Sequence, residues 1–221
     1  MAQYTITVHN KSQEFQTYVL FASPPLTKSS NGDVFTNIYQ VAHRVPSPHG
    51  SVVFTIKSAP FAVCGTLPTP LAVGVKAETE DYTPVILGNK STSTYGSQVP
   101  VSVTDNAPSF DLSLIKQTIL AGFEMSTSHF PYPNPNNIFL GYGYQGEKPE
   151  EIVPLAMMHA KPDTPFPMTP TLKFHVTTGM YTVGEVIDLS KLNTQILIDF
   201  TTGLADAVVT QNSDQTYARN S

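Results

Sequence analysis

Tryptophan is missing from this 221-residue chain, cysteine occurs once, and only 13% of the residues are charged. Each shortage excludes something. A single cysteine rules out an internal disulfide framework. Without tryptophan, the large aromatic platforms usual in a carbohydrate cleft are missing. Twelve Lys and Arg against seventeen Asp and Glu give a formal charge of −5. No basic block supplies the counter-charge that phosphate-backbone binding needs, so no nucleic-acid partner is expected. No stretch approaches the roughly 18 consecutive apolar residues of a membrane-spanning helix, so no membrane partner is expected either. Met1 to Val8 alternates like a strand, with no basic segment leading into an apolar run. That start reads as a cytoplasmic protein, secreted only if a leader has been removed.

What is present is apolar and punctuated. Hydrophobic residues make up 40%, so the low charge is not that of a disordered chain. A compact body of this length has a radius of gyration of about 17 Å. Thirteen glycines and nineteen prolines are spread along the sequence, the pattern of short strands joined by turns. Tyr4, Ile6 and Val8 alternate with Thr5, Thr7 and His9, and an apolar run resumes at Phe15 to Phe21, so residues 4–21 read as a hairpin. Val52, Phe54 and Ile56 share one face of a second strand, with Val53 breaking the pattern. Val99, Val101 and Val103 define a third, in which Pro100 belongs at an edge or a strand start. Further strands are predicted at residues 61–64, 81–87, 137–142, 152–159, 171–177, 195–200 and 207–217, the last with a hairpin turn at Asn212 to Gln215. Asp111 to Leu120 has helix-compatible spacing but enough β-branched residues for a strand, and Leu189 to Asn193 fits one helical turn. The fold class is therefore all-β, of sandwich type, with little helix. The chain forms one β-rich domain over residues 1–221, or two abutting β units meeting near residues 125–136.

The chemistry-bearing residues differ in their sequence surroundings. His43 and His49 flank a proline-rich loop at an interval that matches no ligand motif, so no metal and no cofactor are expected. His9 and His175 sit on polar strand faces and read as solvated. His159 shares a face with Val153, Leu155 and Met157, where partial burial would suit an acid–base role, and His129 is the second candidate. Cys64 ends an apolar stretch with no basic neighbour, the setting of an inert buried thiol. Glycines 141, 143 and 146 imitate a dinucleotide motif, but Glu147-Lys-Pro-Glu leads to a strand and not to a helix. Glu147, Glu150 and Glu151 form one acidic patch, and Glu78, Glu80 and Asp81 another. Paired carboxylates across a cleft would suit glycoside hydrolysis, whereas adjacent acids in turns are usually solvated. Phe130, Tyr132, Phe139, Tyr142 and Tyr144 fall within fifteen residues, interleaved with Asn134, Asn136, prolines and glycines. Such rings and amides suit a ligand or partner surface, or they fill the core.

Tyr4-Thr-Ile-Thr-Val-His-Asn-Lys-Ser, Phe61-Ala-Val-Cys-Gly-Thr66 and Tyr132-Pro-Asn-Pro-Asn-Asn-Ile-Phe-Leu-Gly-Tyr142 resemble stretches of small β-rich proteins of filamentous fungi. The resemblance implies an intracellular fungal origin and brings no activity or site residue with it. The leading functional reading is a non-enzymatic binding or structural protein that self-associates as a homo-oligomer through exposed strand edges or the aromatic segment. A small-molecule pocket protein, such as a cofactor-free isomerase or cyclase using His159 or His129, is the first alternative. A lectin-like glycan binder is the second.

Overall fold

The computed structural model describes residues 2–25, 32–131, 133, 137–192 and 194–220. Within them the chain runs through β1 (Gln3–Asn10), β2 (Gln16–Ala22), β3 (Phe35–Val45), β4 (Ser51–Gly65), β5 (Asp81–Pro84) and β6 (Gly96–Thr104). It continues through β7 (Ala107–Phe110), β8 (Lys116–Ile119), β9 (Phe123–Thr127), β10 (Phe139–Gln145), β11 (Ile152–His159) and β12 (Pro165–Met168). The last strands are β13 (Lys173–Thr178), β14 (Val186–Ile187), β15 (Gln195–Asp199), β16 (Asp206–Gln211) and β17 (Tyr217–Asn220). Helix among the described residues is limited to single 3₁₀ turns at Lys90–Thr92, Leu112–Leu114 and Leu189–Lys191. No helix there is long and apolar enough to cross a membrane.

The all-β expectation holds, and the strands divide into two sheets. The larger has the order β15-β13-β2-β3-β11-β10-β4-β1-β16-β17, with β14 added to β3 and β5 to β4. Its end strands β15 and β17 come near one another, so accumulated twist and tilt bring it almost to closure as a barrel. The smaller sheet has the order β12-β9-β6-β7, with β8 also on β6. One apolar cluster draws on both, from Ile6, Phe54, Tyr142 and Phe174 of the larger to Val99, Phe123, Met125 and Phe166 of the smaller.

Period-two alternation explains which side chains enter that cluster. Ile6, Val8, Phe54 and Ile56 are buried as their spacing predicts, while Val53 is 56% exposed on the opposite face. On β10 the pattern Gly141-Tyr142-Gly143-Tyr144 is a strand with tyrosines inward and glycines against β11. A Cβ at Gly141 would lie 2.2 Å from the Ala156 carbonyl oxygen and one at Gly143 2.5 Å from that of Val153, so the glycines permit close backbone approach. Inside, Tyr39, Tyr142, Tyr144, Phe174, Phe200 and Tyr4 form a chain of tilted and edge-on ring contacts with centroids 4.8 to 6.4 Å apart. The outward faces are covered in two places. Leu67, Leu71 and Ala77 pack on Val63, Phe139 and Met157, and Tyr181, Ile187, Leu189 and Leu192 pack around Val19, Phe21 and Ile38.

Several local expectations are corrected. Residues 4–21 form two strands but no hairpin: β1 pairs with β4 and, in parallel, with β16, whereas β2 pairs with β3 and β13. The polar linker between them is organised by buried Asn10, whose amide donates to the carbonyls of Glu14 and Val45 at 2.8 Å each and accepts from Ser12. Residues 111–120 make one 3₁₀ turn and then β8, so β-branched content outweighs helical spacing there. Pro100 sits inside β6 and not at its end. Its carbonyl accepts from Asp111 between the β8 and β7 pairings, so the missing N–H falls in a gap on that same edge. The turn at 212–215 does close the β16–β17 hairpin.

Candidate functional site: an open groove on the barrel wall

The residues nominated from sequence do not assemble into one site. Phe130, Tyr142 and Tyr144 are buried in the main cluster, which corrects their reading as a ligand or partner surface; Tyr132, Asn134 and Asn136 lie outside the described residues. The Tyr142 hydroxyl is buried without a hydrogen-bond partner, and burial raises its pKa well above the ordinary value. His159 is exposed and meets Phe35 edge-on at 5.8 Å. A register shift between β10 and β11 is the reason: Tyr142 opposes Ala156 but Gly143 opposes Pro154, so Leu155 is an extra residue. Beyond this bulge the phase inverts, Met158 turns inward, and Met157 and His159 turn out. The His129 side chain is 83% exposed and pairs with Asp163 at 2.9 Å.

His175 departs from expectation in the other direction. Its ring stacks on Phe21 at 5.0 Å and 3°, Nε2 lies 2.9 Å from Ser23 Oγ, and Nδ1 is buried. Its outward face is sheltered, and burial lowers its pKa against the opposing effect of a hydrogen bond with the Gln195 side chain. Cys64 is a buried free thiol whose pKa is raised by burial first and then by the charges of Asp81 and Glu80. That is the chemistry of an inert side chain.

Three adjoining depressions form a groove outside the barrel. The first, about 290 Å³, lies among Lys76, Glu78, Tyr82, Glu150 and Glu151. The second, about 360 Å³, shares Glu151, Val153 and Val183 with it and adds Gln40, His43, Glu147 and Lys148. A third, about 220 Å³, shares Gln40 and Glu147 and is walled by Val53, Thr55 and Lys57. None of the three is lined by His129 or His159. Folding brings Glu78 of one acidic patch to Glu150 and Glu151 of the other, a convergence that spacing alone could not reveal. The Glu78 carboxyl is held below its usual range by the Lys76 ammonium 2.7 Å away. Among the described residues, Glu147, Glu150 and Glu151 form no ion pair. Nor is there any group of three His, Cys, Asp or Glu able to hold a metal ion.

The β4 wall of the groove has an open backbone edge. Asn10 N donates to Gly50 O and Ser58 N to Ala2 O, so with the register Tyr4↔Ile56, Ile6↔Phe54 and Val8↔Val52 the even-numbered residues of β4 exchange hydrogen bonds with β1. The backbone groups of Val53 and Thr55 therefore point away from β1. On that side β10 pairs with β4 only from Lys57 onward. The Thr55 carbonyl takes a side-chain hydrogen bond from Gln40 Nε2 at 2.7 Å. The sequence held one sign of this place, Val53, an apolar residue on the polar face.

Barrel, smaller sheet and groove define a class: an all-β protein with a filled interior and its accessible features on the outer wall. A model of the RhiA family matches residues 1–219, and the chain belongs to the RhiA family. No curated protein and no solved structure matches it.

Proposed function

We propose that this protein is a non-enzymatic binding or structural protein of the cytoplasm that self-associates through the β8 side of the smaller sheet. One observation carries the reading. Ile86, Tyr95, Leu112, Leu114 and Leu120 are all exposed, and all lie on or beside β6 and β8. Ile86 N–H donates to Ser97 Oγ of β6, Tyr95 precedes β6, and the leucines flank β8. Strand β8 pairs with β6 alone in the described ladders, so an unpaired edge lies beside apolar side chains. At the opposite margin, β12 carries Pro165 and Pro167, which lack the N–H needed for edge pairing. The acid–base alternative loses support because His129 and His159 are exposed away from the three depressions, and the lectin alternative because Tyr142 is buried.

The test is molar mass by sedimentation equilibrium at micromolar concentration. Wild type is expected as a dimer or larger species, and Leu112→Lys with Leu114→Lys as the 24.0 kDa monomer. A wild type that stays strictly monomeric contradicts the proposal.

A further inference from the structure

A second surface, independent of the β8 side, has the features of a peptide receptor. We infer that the groove beside β4 takes an extended polypeptide segment, which adds as a strand to the free edge at Val53 and Thr55. The register with β1 aims the N–H and C=O of Val53 and the N–H of Thr55 into space that β10 does not reach. Val53, Thr55 and Lys57 line the depression there. Donors and acceptors alternating along an edge are complementary to an extended backbone, which can satisfy them in series.

Gln40 strengthens the case. Its side-chain amide reaches from β3 to the Thr55 carbonyl and supplies the N–H that an incoming strand would donate. The arriving segment replaces that contact with its own amide and continues along Val53. Its side chains fall alternately over the groove, where Glu147 lines two of the depressions and Glu151 two, neither in an ion pair among the described residues. Lys57 and Lys148 stand nearby, but with Glu150 the unpaired carboxylates outnumber them. The occupant is thus an extended segment bearing a basic residue.

The experiment follows amide exchange by NMR on the full chain, with a pooled heptapeptide library of alternating variable and valine positions around a central lysine. Without peptide, Val53 and Thr55 amides exchange fast while Phe54 and Ile56 are protected by β1. With the pool, Val53 and Thr55 slow by about tenfold or more. The same pool N-methylated on every amide, which leaves neither edge of the peptide able to donate, has no effect, and Val53→Pro, which removes an N–H that β1 does not use, abolishes the response. Glu147→Lys weakens binding of the lysine pool relative to a matched glutamate pool. The inference is overturned if the free protein already protects Val53 and Thr55 as strongly as their neighbours, if the pool leaves exchange unchanged, or if the N-methylated pool acts equally well. Slowing by maltohexaose but not by peptide, or slowing with protein concentration alone, also overturns it by assigning the edge to a glycan or to a second copy.

Discussion

The barrel and the smaller sheet distribute their apolar side chains differently. The barrel turns Tyr39, Tyr142, Tyr144, Phe174 and Phe200 inward, where they touch one another, brings its two end strands together, and leaves Val53, Tyr82 and Leu197 exposed on separate strands of its wall. The smaller sheet buries Phe123, Met125 and Phe166 on one face, yet exposes five large apolar residues along its β6–β8 flank. The difference separates apolar surface that holds the monomer together from apolar surface that does not. Ring burial in the barrel supplies cohesion, whereas the exposed side chains of the flank contribute little to the monomer.

The largest expected effect comes from breaking the barrel's ring chain. Phe174 is fully buried and touches three other rings, so Phe174→Ala should cost about 3–5 kcal/mol in urea unfolding. A cost below about 1 kcal/mol would mean the interior is not close-packed. The matching weakness of the smaller sheet is a glycine junction. Gly88 and Gly122 exchange backbone hydrogen bonds at 2.6 and 3.0 Å, and a Cβ at Gly96 would lie 2.0 Å from the Gly122 oxygen and 2.5 Å from Gly88 N. Gly96→Ala forces the strands apart and should cost roughly 1–3 kcal/mol or more, with chemical-shift changes centred on β6, β8 and residues 86–88.

A pair of tyrosines sharpens the account of the interior. The Tyr18 hydroxyl donates to Gln211 Oε1 at 2.6 Å, while that of Tyr142 has no partner. Tyr18→Phe strands a buried acceptor and should cost about 1–3 kcal/mol, whereas Tyr142→Phe should be neutral or slightly stabilising. Equal losses would show that the Tyr142 hydroxyl is satisfied. The smallest effect is one of pH. The folded pKa of His175 lies below the ordinary 6.5 because of burial, so as pH falls the unfolded chain binds the proton first. Stability is complete above about 6.5 and declines as pH drops from there toward the folded value. His175→Phe, which keeps the stacking on Phe21, should flatten that part of the urea-midpoint profile; an unchanged slope would exclude His175 as its source.

Alternation alone made β1, β4 and β6 legible, together with their inward side chains. It could not specify partners, because β1 pairs with β16 some two hundred positions away and nothing local encodes that choice. The readings that failed share a physical cause in phase and cover. His159 was misplaced by a one-residue bulge at Leu155, invisible in a strict period of two. The polar face of its strand predicts a solvated His175, yet Phe21 lies against the ring. The aromatic segment was two readings in one: its tyrosines recur every second residue, as a buried strand requires, and its glycines serve the backbone of β11. The groove was legible only as scattered acids and one misplaced valine, since it is assembled from β3, β4 and the turns at 76–79, 146–151 and 182–184.

The proposal that copies of the chain meet at the β6–β8 flank is tested most directly by hydrogen–deuterium exchange at low and high protein concentration. The account predicts protection that grows with concentration over residues 86–120 and stays constant across β10, β13 and the ring-bearing interior. Exchange independent of concentration, or new protection on the barrel strands with residues 86–120 unchanged, would contradict it.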